Sequence, residues 1–425
     1  MNITETLEYI HNVKWQGSKP GLERTQALLK ALGNPEKQLK FVHVAGTNGK
    51  GSTSIFIASV LAQAGYKTGL YISPYILRFN ERIQVNMEHI TDEELEQVIK
   101  EIRPFADAMA DSPTEFELIT ALAMKHFQNK GCDIVVLEVG MGGRLDSTNV
   151  IDTPELAVIT AIGYDHVKEL GPTISDIAGE KAGIIKNGGD VLIYGGVPEV
   201  ENVFESVANE RGTRLHKADF GRICNKDFSL DGIKLNIKPY GEILIPLAGA
   251  YQPYNAVLAI TALDILREKG YEISESNIKK GIEAVKWQGR FEVLGRQPIF
   301  ILDGAHNPQG VEATAGSLRQ HFGDKKIIFI IGVMADKDID SMVAHIVPLA
   351  KLFITVKPDN PRAMDSYELA EKLKRFGVPV TNCGTVKSGV SEALKLAGEM
   401  DIICALGSLY FSSEVRAAYD AHRHV

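Results

Sequence analysis

Cysteine is scarce in this chain and widely spaced. Cys132, Cys224, Cys383 and Cys404 lie far apart in the sequence, and no C-x-x-C pair occurs. This pattern argues against a disulfide framework and against a cysteine-rich metal cluster. Three of the four cysteines lie in or beside apolar, strand-like runs. We therefore expect reduced thiols that belong to the core.

Blocks of positive charge and long apolar runs are also missing. The chain has 46 lysine and arginine residues against 54 aspartate and glutamate residues, and the net charge of -8 is spread along it. Such a surface does not suit a nucleic acid, which needs a basic partner. No apolar run approaches the roughly 20 residues of a membrane span, and residues 1–5 do not resemble the start of a signal peptide. We expect a cytoplasmic protein that binds neither nucleic acid nor membrane.

The 425 residues, 44% of them hydrophobic, exceed what one core usually fills, so two domains are expected. Apolar runs alternate with helical patterns, which indicates an α/β fold with parallel sheets buried on both faces. In the first part of the chain these runs are residues 67–72, 133–139, 156–162 and 190–194. A second series predicts a smaller Rossmann-like α/β domain, with strands at residues 299–302, 326–331, 352–356, 378–380 and 401–406.

Residues 211–246 break this alternation. They form short alternating segments rich in turn residues, which predicts a small antiparallel flap added to the first domain. Helices are expected over residues 254–269 and 274–286, after which Trp287–Phe291 ends the helical period. We place the domain boundary there. The predicted domains are residues 1–289, with the phosphate loop described next, and residues 290–425.

A glycine-rich loop follows the apolar strand Phe41–Ala45 and reads Gly46-Thr47-Asn48-Gly49-Lys50-Gly51-Ser52. Such a loop aims backbone N–H groups and a helix N-terminus at an anion, and Lys50 can reach the outer phosphates of a nucleoside triphosphate. The general G-x-x-x-x-G-K-[ST] pattern is not met, because Val44 stands at the first glycine position and Gly51 separates Lys50 from Ser52. The helix predicted over residues 50–64 still favours a phosphate loop over an ordinary turn.

Polar residues follow the carboxyl ends of several predicted strands, where open α/β sheets bind ligands. Glu138 ends one strand, Ser73 follows another, and His166 follows a third. Glu138 and Ser73 offer oxygen ligands for Mg²⁺, whereas a histidine ligand is unusual for this ion. On its residue type alone, His166 is more often a hydrogen-bonded loop histidine.

The second domain begins with the same arrangement. The strand at residues 299–302 ends in Asp303, and His306 follows three residues later. Asn307 and Pro308 are typical of a helix N-cap and its first residue, so capping alone explains Asn307. An acid and a histidine at a strand end beside a helix N-terminus indicate a functional pocket.

A family resemblance covers most of the chain. Together these motifs resemble folylpolyglutamate synthases and bifunctional dihydrofolate synthases, which belong to the Mur ligase superfamily. Gly51 after the lysine, which broke the general pattern, is what this family shows. The motifs are 45–52, 137–140 with 142–149, Asp165-His166, 179–184, Gln252 with Asn255-Ala256, 287–290, 303–308, 332–338 and 407–410.

The resemblance implies an ATP-dependent amide ligase. In such an enzyme a folate or dihydropteroate carboxylate takes the γ-phosphoryl group of ATP, and the amine of L-glutamate displaces phosphate from the acyl phosphate. It also implies two Mg²⁺ ions and closure of the second domain on ATP and glutamate. By this resemblance, ATP would be bound by Thr47, Asn48, Gly49, Lys50, Gly51, Ser52, Asn255, Arg290 and Asp303. The metal ligands would be Ser52, Ser73, Glu138, His166 and Lys181, and the catalytic residues Lys50, Asp303, His306 and Lys181.

The resemblance further implies a carbamate on Lys181 and a pteridine site. A carbamate would convert the Lys181 cation into an oxygen anion for the second Mg²⁺, whereas an unmodified lysine would pair with Glu180 or with solvent. Phe116 would stack on the pteridine, although a lone phenylalanine at helical spacing is more often core. The pteridine-binding residues implied are Thr114, Glu115, Phe116, Glu117, Leu145, Asp146 and Ser147.

Two other functions compete with this interpretation. A muramyl-type ligase shares the architecture but typically has a threonine directly after the loop lysine, where this chain has Gly51. A non-catalytic nucleotide-binding module would not need Glu138, His166 and Asp303 all at strand ends. We expect a monomeric ligase whose substrates are ATP, L-glutamate and a folate or dihydropteroate.

Overall fold

The computed structural model describes residues 2–13 and 19–423. Its internal contacts divide the chain into two units. The first contains the residues up to Arg222 together with Tyr254–Val285. The second contains Ile223–Pro253 together with the residues from Lys286 onward. No helix in the described ranges has the length and apolar character needed to cross a membrane.

The first unit is built on an eight-stranded sheet of order β4-β3-β2-β5-β1-β6-β7-β8. The six strands from β2 to β8 in that order pair in parallel, and β3 and β4 add an antiparallel hairpin at one edge. The strands are β1 Phe41–Ala45, β2 Thr68–Tyr71, β3 Ile83–Val85, β4 Glu88–His89, β5 Ile134–Glu138, β6 Leu156–Ile159, β7 Asp190–Ile193 and β8 Arg214–Lys217.

Helices cover this sheet. They are α1 Ile3–His11, α2 Glu23–Ala31, α3 Lys50–Gln63, α4 Asp92–Ala108, α5 Glu115–Lys130, α6 Val167–Leu170, α7 Ile174–Ala182, α8 Pro198–Glu210, α9 Gln252–Glu268 and α10 Glu275–Glu283.

The central strands of this sheet are buried on both faces, as their apolar runs predicted. Every residue of β1 and of β5 is buried. Parallel strands that helices cover on both faces have nearly continuous apolar sequences, so these strands could be predicted from the sequence. The helix predicted after the glycine-rich loop begins at Lys50 and ends one residue before Ala64. The predicted α/β class is therefore confirmed.

The second unit contains a six-stranded sheet of order β12-β13-β17-β14-β15-β16, in which only β12 is antiparallel to its neighbour. A smaller sheet of order β11-β10-β9 is antiparallel throughout. The strands are β9 Ile223–Ser229, β10 Gly232–Ile237, β11 Gly241–Ile245, β12 Glu292–Arg296, β13 Ile299–Leu302, β14 Ile327–Ile331, β15 Ala350–Lys357, β16 Val380–Thr385 and β17 Ile402–Leu406. The helices are α11 Pro308–Phe322, α12 Ile339–Ala344, α13 Ser366–Lys374, α14 Val386–Leu396 and α15 Ser412–Arg423.

The antiparallel character of the β9–β11 sheet follows the prediction, but its grouping differs. We expected this flap to be added to the first domain, whereas its contacts group it with the second unit. The ring of Phe228 in β9 lies edge-on to His321 of α11, with ring centroids 6.2 Å apart. Arg296 of β12 hydrogen-bonds Asp231 in the β9–β10 turn. Alternation of apolar residues predicts strands, but it does not identify the surface on which they pack.

Candidate active site

The glycine-rich loop connects β1 to α3, and two of its glycines are required by close contacts. Gly46 has φ +148°, and a Cβ atom there would lie 1.8 Å from the Thr160 hydroxyl oxygen. Gly49 has φ +88°, and a Cβ there would lie 2.5 Å from the amide oxygen of Asn255. Both positions therefore need glycine for its conformation and for its size. Asn255, one of the predicted ATP-binding residues, is buried in α9 directly against this loop.

Hydrogen bonds to the segment after β6 fix the loop further. The backbone N–H groups of Thr47 and Asn48 donate to the carbonyl of Ala161 at 2.9 and 3.2 Å. The hydroxyl of Thr47 donates to the carbonyl of Gly163 at 3.0 Å, and the Thr160 hydroxyl donates to the carbonyl of Asn48 at 2.8 Å. The loop is thus held in shape by protein contacts, as an anion-binding loop requires.

Two lysines converge on one carbonyl of this loop. The ammonium of Lys50 donates to the carbonyl of Gly46 at 3.1 Å, and that of Lys181, from α7, donates to the same oxygen at 2.9 Å. Lys181 is only 4% exposed. Burial, reinforced by the positive charge of Lys50, lowers the pKa of Lys181 to about 7.

The environment of Lys181 bears on its predicted modification. A salt bridge with Glu180 was the ordinary alternative, but the Glu180 carboxylate instead accepts from the guanidinium of Arg144 at 2.8 Å. The loop that contains Gly143 packs closely against α7, because a Cβ on Gly143 would lie 2.7 Å from the Glu180 carbonyl oxygen. Lys181 is therefore a buried amine of low basicity beside a phosphate-type loop. A large share of such an amine is uncharged, and hence nucleophilic, at neutral pH.

Two of the predicted metal ligands lie together at the carboxyl end of the sheet. Glu138 is the last residue of β5, is 4% exposed, and accepts from the backbone N–H of Ser73 at 3.1 Å. Ser73 follows β2, the neighbour of β5. Ser52 is buried in the first turn of α3. No group of three histidine, cysteine, aspartate or glutamate side chains with metal-binding geometry occurs in the ranges that the structure covers.

This donor set suits Mg²⁺ better than a transition metal. It combines one carboxylate with serine hydroxyls, and Mg²⁺ prefers oxygen ligands and keeps several waters or substrate phosphates in its shell. A dense cluster of protein ligands is therefore not required.

His166 follows residues 160–163, which hydrogen-bond to the glycine-rich loop. It precedes α6 with φ +50°, and its ring nitrogen Nε2 lies 3.9 Å from the carboxylate of Asp165. Its side chain is 40% exposed. The left-handed backbone, rare for a residue other than glycine, orients this histidine away from the path of a regular helix. Its role as a metal ligand stays a prediction.

The predicted pteridine segment has a partly structural role. Thr114 caps α5, and Glu117 completes a capping box by accepting from the Thr114 backbone N–H at 2.7 Å. The Glu117 carboxylate also receives two hydrogen bonds from the guanidinium of Arg24, at 2.7 and 3.0 Å, and both side chains are buried. The carboxylate of Glu115 lies within hydrogen-bond distance of Nδ1 of His11, at 3.0 Å. Glu117 therefore anchors the N-terminus of α5 to α2.

Phe116 is placed differently from Glu117. Its ring lies against the loop after β5, because a Cβ on Gly140 would come within 2.5 Å of the ring. Tyr71 contributes a second ring, with centroids 6.1 Å apart. Leu145, on the same loop, is 39% exposed, whereas Ser147 is buried. Phe116 and the loop of residues 140–147 thus form one surface of the first unit.

Asp146 organises this loop. Its buried carboxylate accepts from the backbone N–H of Met141 at 2.8 Å, and from the backbone N–H and hydroxyl of Thr148 at 3.0 and 2.6 Å. Burial raises the pKa of Asp146, and these hydrogen bonds oppose that rise.

A histidine that sequence reasoning missed lies behind this carboxylate. Nε2 of His43, in the middle of β1, lies 2.9 Å from the hydroxyl of Thr148. Because that hydroxyl donates to Asp146, His43 donates its Nε2–H to Thr148. Complete burial lowers the pKa of His43 to about 3, so the imidazole is neutral. The sequence feature that marks His43 is a single polar residue within an otherwise apolar strand.

Asp303 lies at the carboxyl end of a strand in the second unit, as Glu138 does in the first. It directly follows β13, is 2% exposed, and accepts from the Tyr251 hydroxyl at 3.0 Å and from the backbone N–H groups of Phe291 and Ala305 at 2.7 and 2.8 Å. Burial raises its pKa, which the charge of Arg290 opposes. Tyr251 was not predicted from the sequence. Asp303 thus ties the loop that carries Arg290 to the end of β13.

His306 and Asn307 follow on the same loop. Nδ1 of His306 lies 2.9 Å from the carbonyl of Gly304, and because a carbonyl only accepts, Nδ1 carries the proton. Asn307 accepts from the Gly310 backbone N–H at 2.8 Å, which confirms it as the N-cap of α11. The histidine is therefore held in one orientation beside a helix N-terminus.

Comparison with known proteins first identifies the class. Residues 44–263 match the Mur ligase middle domain, and residues 289–409 match the Mur ligase glutamate ligase domain. These matches cover the glycine-rich loop in one unit and Asp303 in the other.

Individual relatives narrow the class to one family. The chain is 38% identical over 423 residues to the dihydrofolate synthase/folylpolyglutamate synthase of Bacillus subtilis, covering 96% of this chain and 97% of that protein. It is similar to a Mycobacterium tuberculosis folylpolyglutamate synthase solved with ADP, with TM-score 0.91, 29% identity and 98% of each chain covered. It is also similar to Escherichia coli FolC in complex with DHPP and ADP, with TM-score 0.88, 31% identity, and 100% and 99% of the two chains covered. The chain belongs to the folylpolyglutamate synthase and dihydrofolate synthase family.

These findings confirm the resemblance drawn from the motifs, and with it an ATP-dependent ligase.

Proposed function

We propose that this protein joins L-glutamate to the carboxylate of a folate-type pteridine at the expense of ATP, and that dihydropteroate is also an acceptor. The observation that carries the proposal is the glycine-rich loop, on which Lys50 and the buried Lys181 converge beside Glu138 and Ser73. The named ligands of similar proteins, ADP and DHPP, support the same substrates. Monomeric state and cytoplasmic location stay predictions.

The reaction has two displacement steps. A carboxylate oxygen of the pteridine acid attacks the γ-phosphorus of ATP, and ADP leaves with the electrons of the broken P–O bond. The glutamate amine then attacks the carbonyl carbon of the acyl phosphate, inorganic phosphate leaves, and the nitrogen loses a proton. Both steps develop negative charge on phosphoryl oxygens, so positioning and charge neutralisation matter more than covalent chemistry. Lys50 and the backbone N–H groups of residues 49–52 would supply them.

Ser52, Ser73, Glu138 and His166 would hold a Mg²⁺ ion, and a modified Lys181 would supply an oxygen ligand for a second. Mg²⁺ held by these residues would supply positive charge to neutralise the phosphate oxygens. The protein contributes a preformed carboxylate, because Glu138 is fixed by the Ser73 backbone.

A carbamate on Lys181 agrees with its environment. The neutral amine would attack CO₂, form an N–C bond, and release one proton, which leaves a carbamate anion. A pKa of about 7 keeps a large share of the amine neutral at cellular pH, which an ordinary lysine does not. The change would also replace two neighbouring cations, Lys50 and Lys181, by a cation and an anion.

The remaining assignments rest on the family motifs. Asn255, Arg290 and Asp303 would contribute to ATP binding, and His306 to the glutamate or the transferring phosphoryl group. Phe116 and the loop around Asp146 would contact the pteridine. The structure supports this last assignment by joining Phe116 and that loop in one surface.

The test is a ligase assay with purified protein, ATP, Mg²⁺ and L-glutamate, supplied in parallel with tetrahydrofolate, dihydropteroate or a UDP-muramyl peptide acceptor. We expect ADP release coupled to glutamylation of both tetrahydrofolate and dihydropteroate. Glutamylation of none of the pteridines, or turnover of the muramyl acceptor alone, would contradict the proposal. Omission of glutamate is the control for uncoupled ATP hydrolysis.

A further inference from the structure

Arg82 is a half-buried cation that the mechanism above does not use. It precedes β3, and its guanidinium carbon lies 5.2 Å from the ring centroid of Tyr75 and 5.9 Å from that of Phe79. Its Nε and Nη1 atoms are shielded from solvent and have no hydrogen-bond partner among residues 2–13 and 19–423. Shielded N–H groups of a charged side chain are costly to leave unpaired, so native proteins rarely keep them without a hydrogen-bond partner.

The nearest acid in the sequence does not serve as its partner. Both oxygens of Glu81 are committed to the preceding loop, where they accept from the backbone N–H groups of Ile76, Leu77 and Arg78, each at 2.7 Å. Glu81 thereby shapes the loop that carries Tyr75 and leaves the guanidinium of Arg82 to another anion.

The position of Arg82 connects two parts of the site. Its carbonyl accepts from the backbone N–H of Ile72 at 3.0 Å, so it lies opposite the residue that precedes Ser73. Its charge also acts on the hydroxyl of Tyr71, whose ring neighbours Phe116. Arg82 is therefore adjacent both to the proposed metal ligands and to the proposed pteridine surface, where the proposed function places the acid group of the substrate.

We propose that Arg82 binds a carboxylate of the pteridine substrate. A guanidinium presents parallel N–H groups that match the two oxygens of a carboxylate, and the neighbouring rings of Tyr75 and Phe79 attract the cation and limit its orientations. The inference rests on the proposed function. The carboxylate has two possible sources: the group that reacts, present in every acceptor, or the additional α-carboxylate of a substrate that already ends in glutamate.

The experiment measures dissociation constants, without ATP, for dihydropteroate, for tetrahydrofolate and for the neutral carboxamide analogue of dihydropteroate. The proteins compared are wild type, Arg82→Ala, Arg82→Lys and Arg78→Ala. Arg78 is the matched control, because it belongs to the same loop but is 67% exposed and pairs with Asp92. Circular dichroism and thermal midpoints report folding. If Arg82→Ala does not fold, Arg82→Lys, which keeps the stem and the charge but loses the planar fork, decides the question.

We expect Arg82→Ala to weaken binding of the carboxylate ligands by on the order of 10- to 100-fold, as expected for a lost charged hydrogen-bond pair. Arg82→Lys should fall between it and wild type, and Arg78→Ala should match wild type. The carboxamide should bind all four proteins alike, and the KM for ATP should not change. A loss for tetrahydrofolate alone would assign Arg82 to the α-carboxylate, and an equal loss for both acids to the reacting group.

Two results would overturn the inference. One is an equal loss for the carboxamide and the acids, which would mean that Arg82 only supports the fold. The other is unchanged binding of all ligands. Both differ from failure of the proposed function, in which wild type itself would neither bind nor glutamylate a pteridine acid.

Discussion

Replacing Lys181 by methionine should abolish ligase activity and yet stabilise the fold. In the folded protein the pKa of this lysine is about 7, against an ordinary value of 10.5. Between these pH values the unfolded chain binds more protons than the folded one, so the free energy of unfolding rises with pH in this window. At pH 7 the cost of keeping the amine neutral is on the order of 4 kcal/mol, and at pH 9 about 2 kcal/mol.

Methionine removes this cost, because it carries no charge and has a similar length. Lys181→Met should therefore be more stable than wild type at pH 7, by up to that amount less the lost hydrogen bond to Gly46. The advantage should shrink toward pH 9. Urea denaturation of both proteins at the two pH values, in CO₂-free buffer, measures the difference directly.

Bicarbonate adds a second arm to the experiment. If Lys181 forms a carbamate, added bicarbonate should stabilise wild type and leave Lys181→Met unchanged, because only the folded lysine is poised to react. Intact-mass measurement of the active enzyme should show the added CO₂. Lys186→Met is the control for the bicarbonate arm, since that lysine donates to Asn149 instead of the glycine-rich loop; it should respond to bicarbonate as wild type does. An advantage of Lys181→Met that does not change with pH would refute the reasoning.

Three further predictions follow from contacts already described. Lys50→Ala should retain the fold but lose on the order of 3 kcal/mol of transition-state stabilisation, and near-normal turnover at saturating ATP would rule out the phosphate-loop role. Asp303→Ala should lower kcat by on the order of a hundredfold while pteridine affinity, measured by equilibrium binding, stays unchanged; lost pteridine binding with normal turnover would reverse the roles of the two units. Glu117→Gln should cost about 3 kcal/mol of unfolding free energy, because it weakens the partner of a buried guanidinium, and a loss below 0.5 kcal/mol in urea denaturation would contradict this.

The parts of the site that depend on local pattern could be predicted from the sequence. The strand Phe41–Ala45 and the start of α3 at Lys50 were located because an apolar run and a helical period meet at a glycine-rich turn. The apolar runs also predict Glu138, which ends a buried strand, and Asp303, which directly follows one. Parallel strands end at a common edge of their sheet, so such residues are good candidates without any knowledge of the fold.

Contacts between distant residues could not be predicted in this way. Arg24 and Glu117 are 93 positions apart, and nothing in either segment predicts that the two side chains pair. The burial of Lys181 depends on how α7 packs against the loop of residues 140–144, which periodicity does not report. His43 drew no attention because a single polar residue in an apolar strand has no characteristic spacing. Its role becomes visible only when Thr148 and Asp146 are placed beside it.

The division of the chain into units has a consequence for dissecting this enzyme. The polypeptide passes from one unit to the other three times: after Arg222, after Pro253 in the first turn of α9, and after Val285. No single cut therefore separates the units. A fragment ending at residue 289 would retain the β9–β11 sheet without α11, on which Phe228 rests, and would expose apolar surface. Excision of the first unit requires truncation after Val285, removal of residues 223–253, and insertion of a short linker from Arg222 to Tyr254.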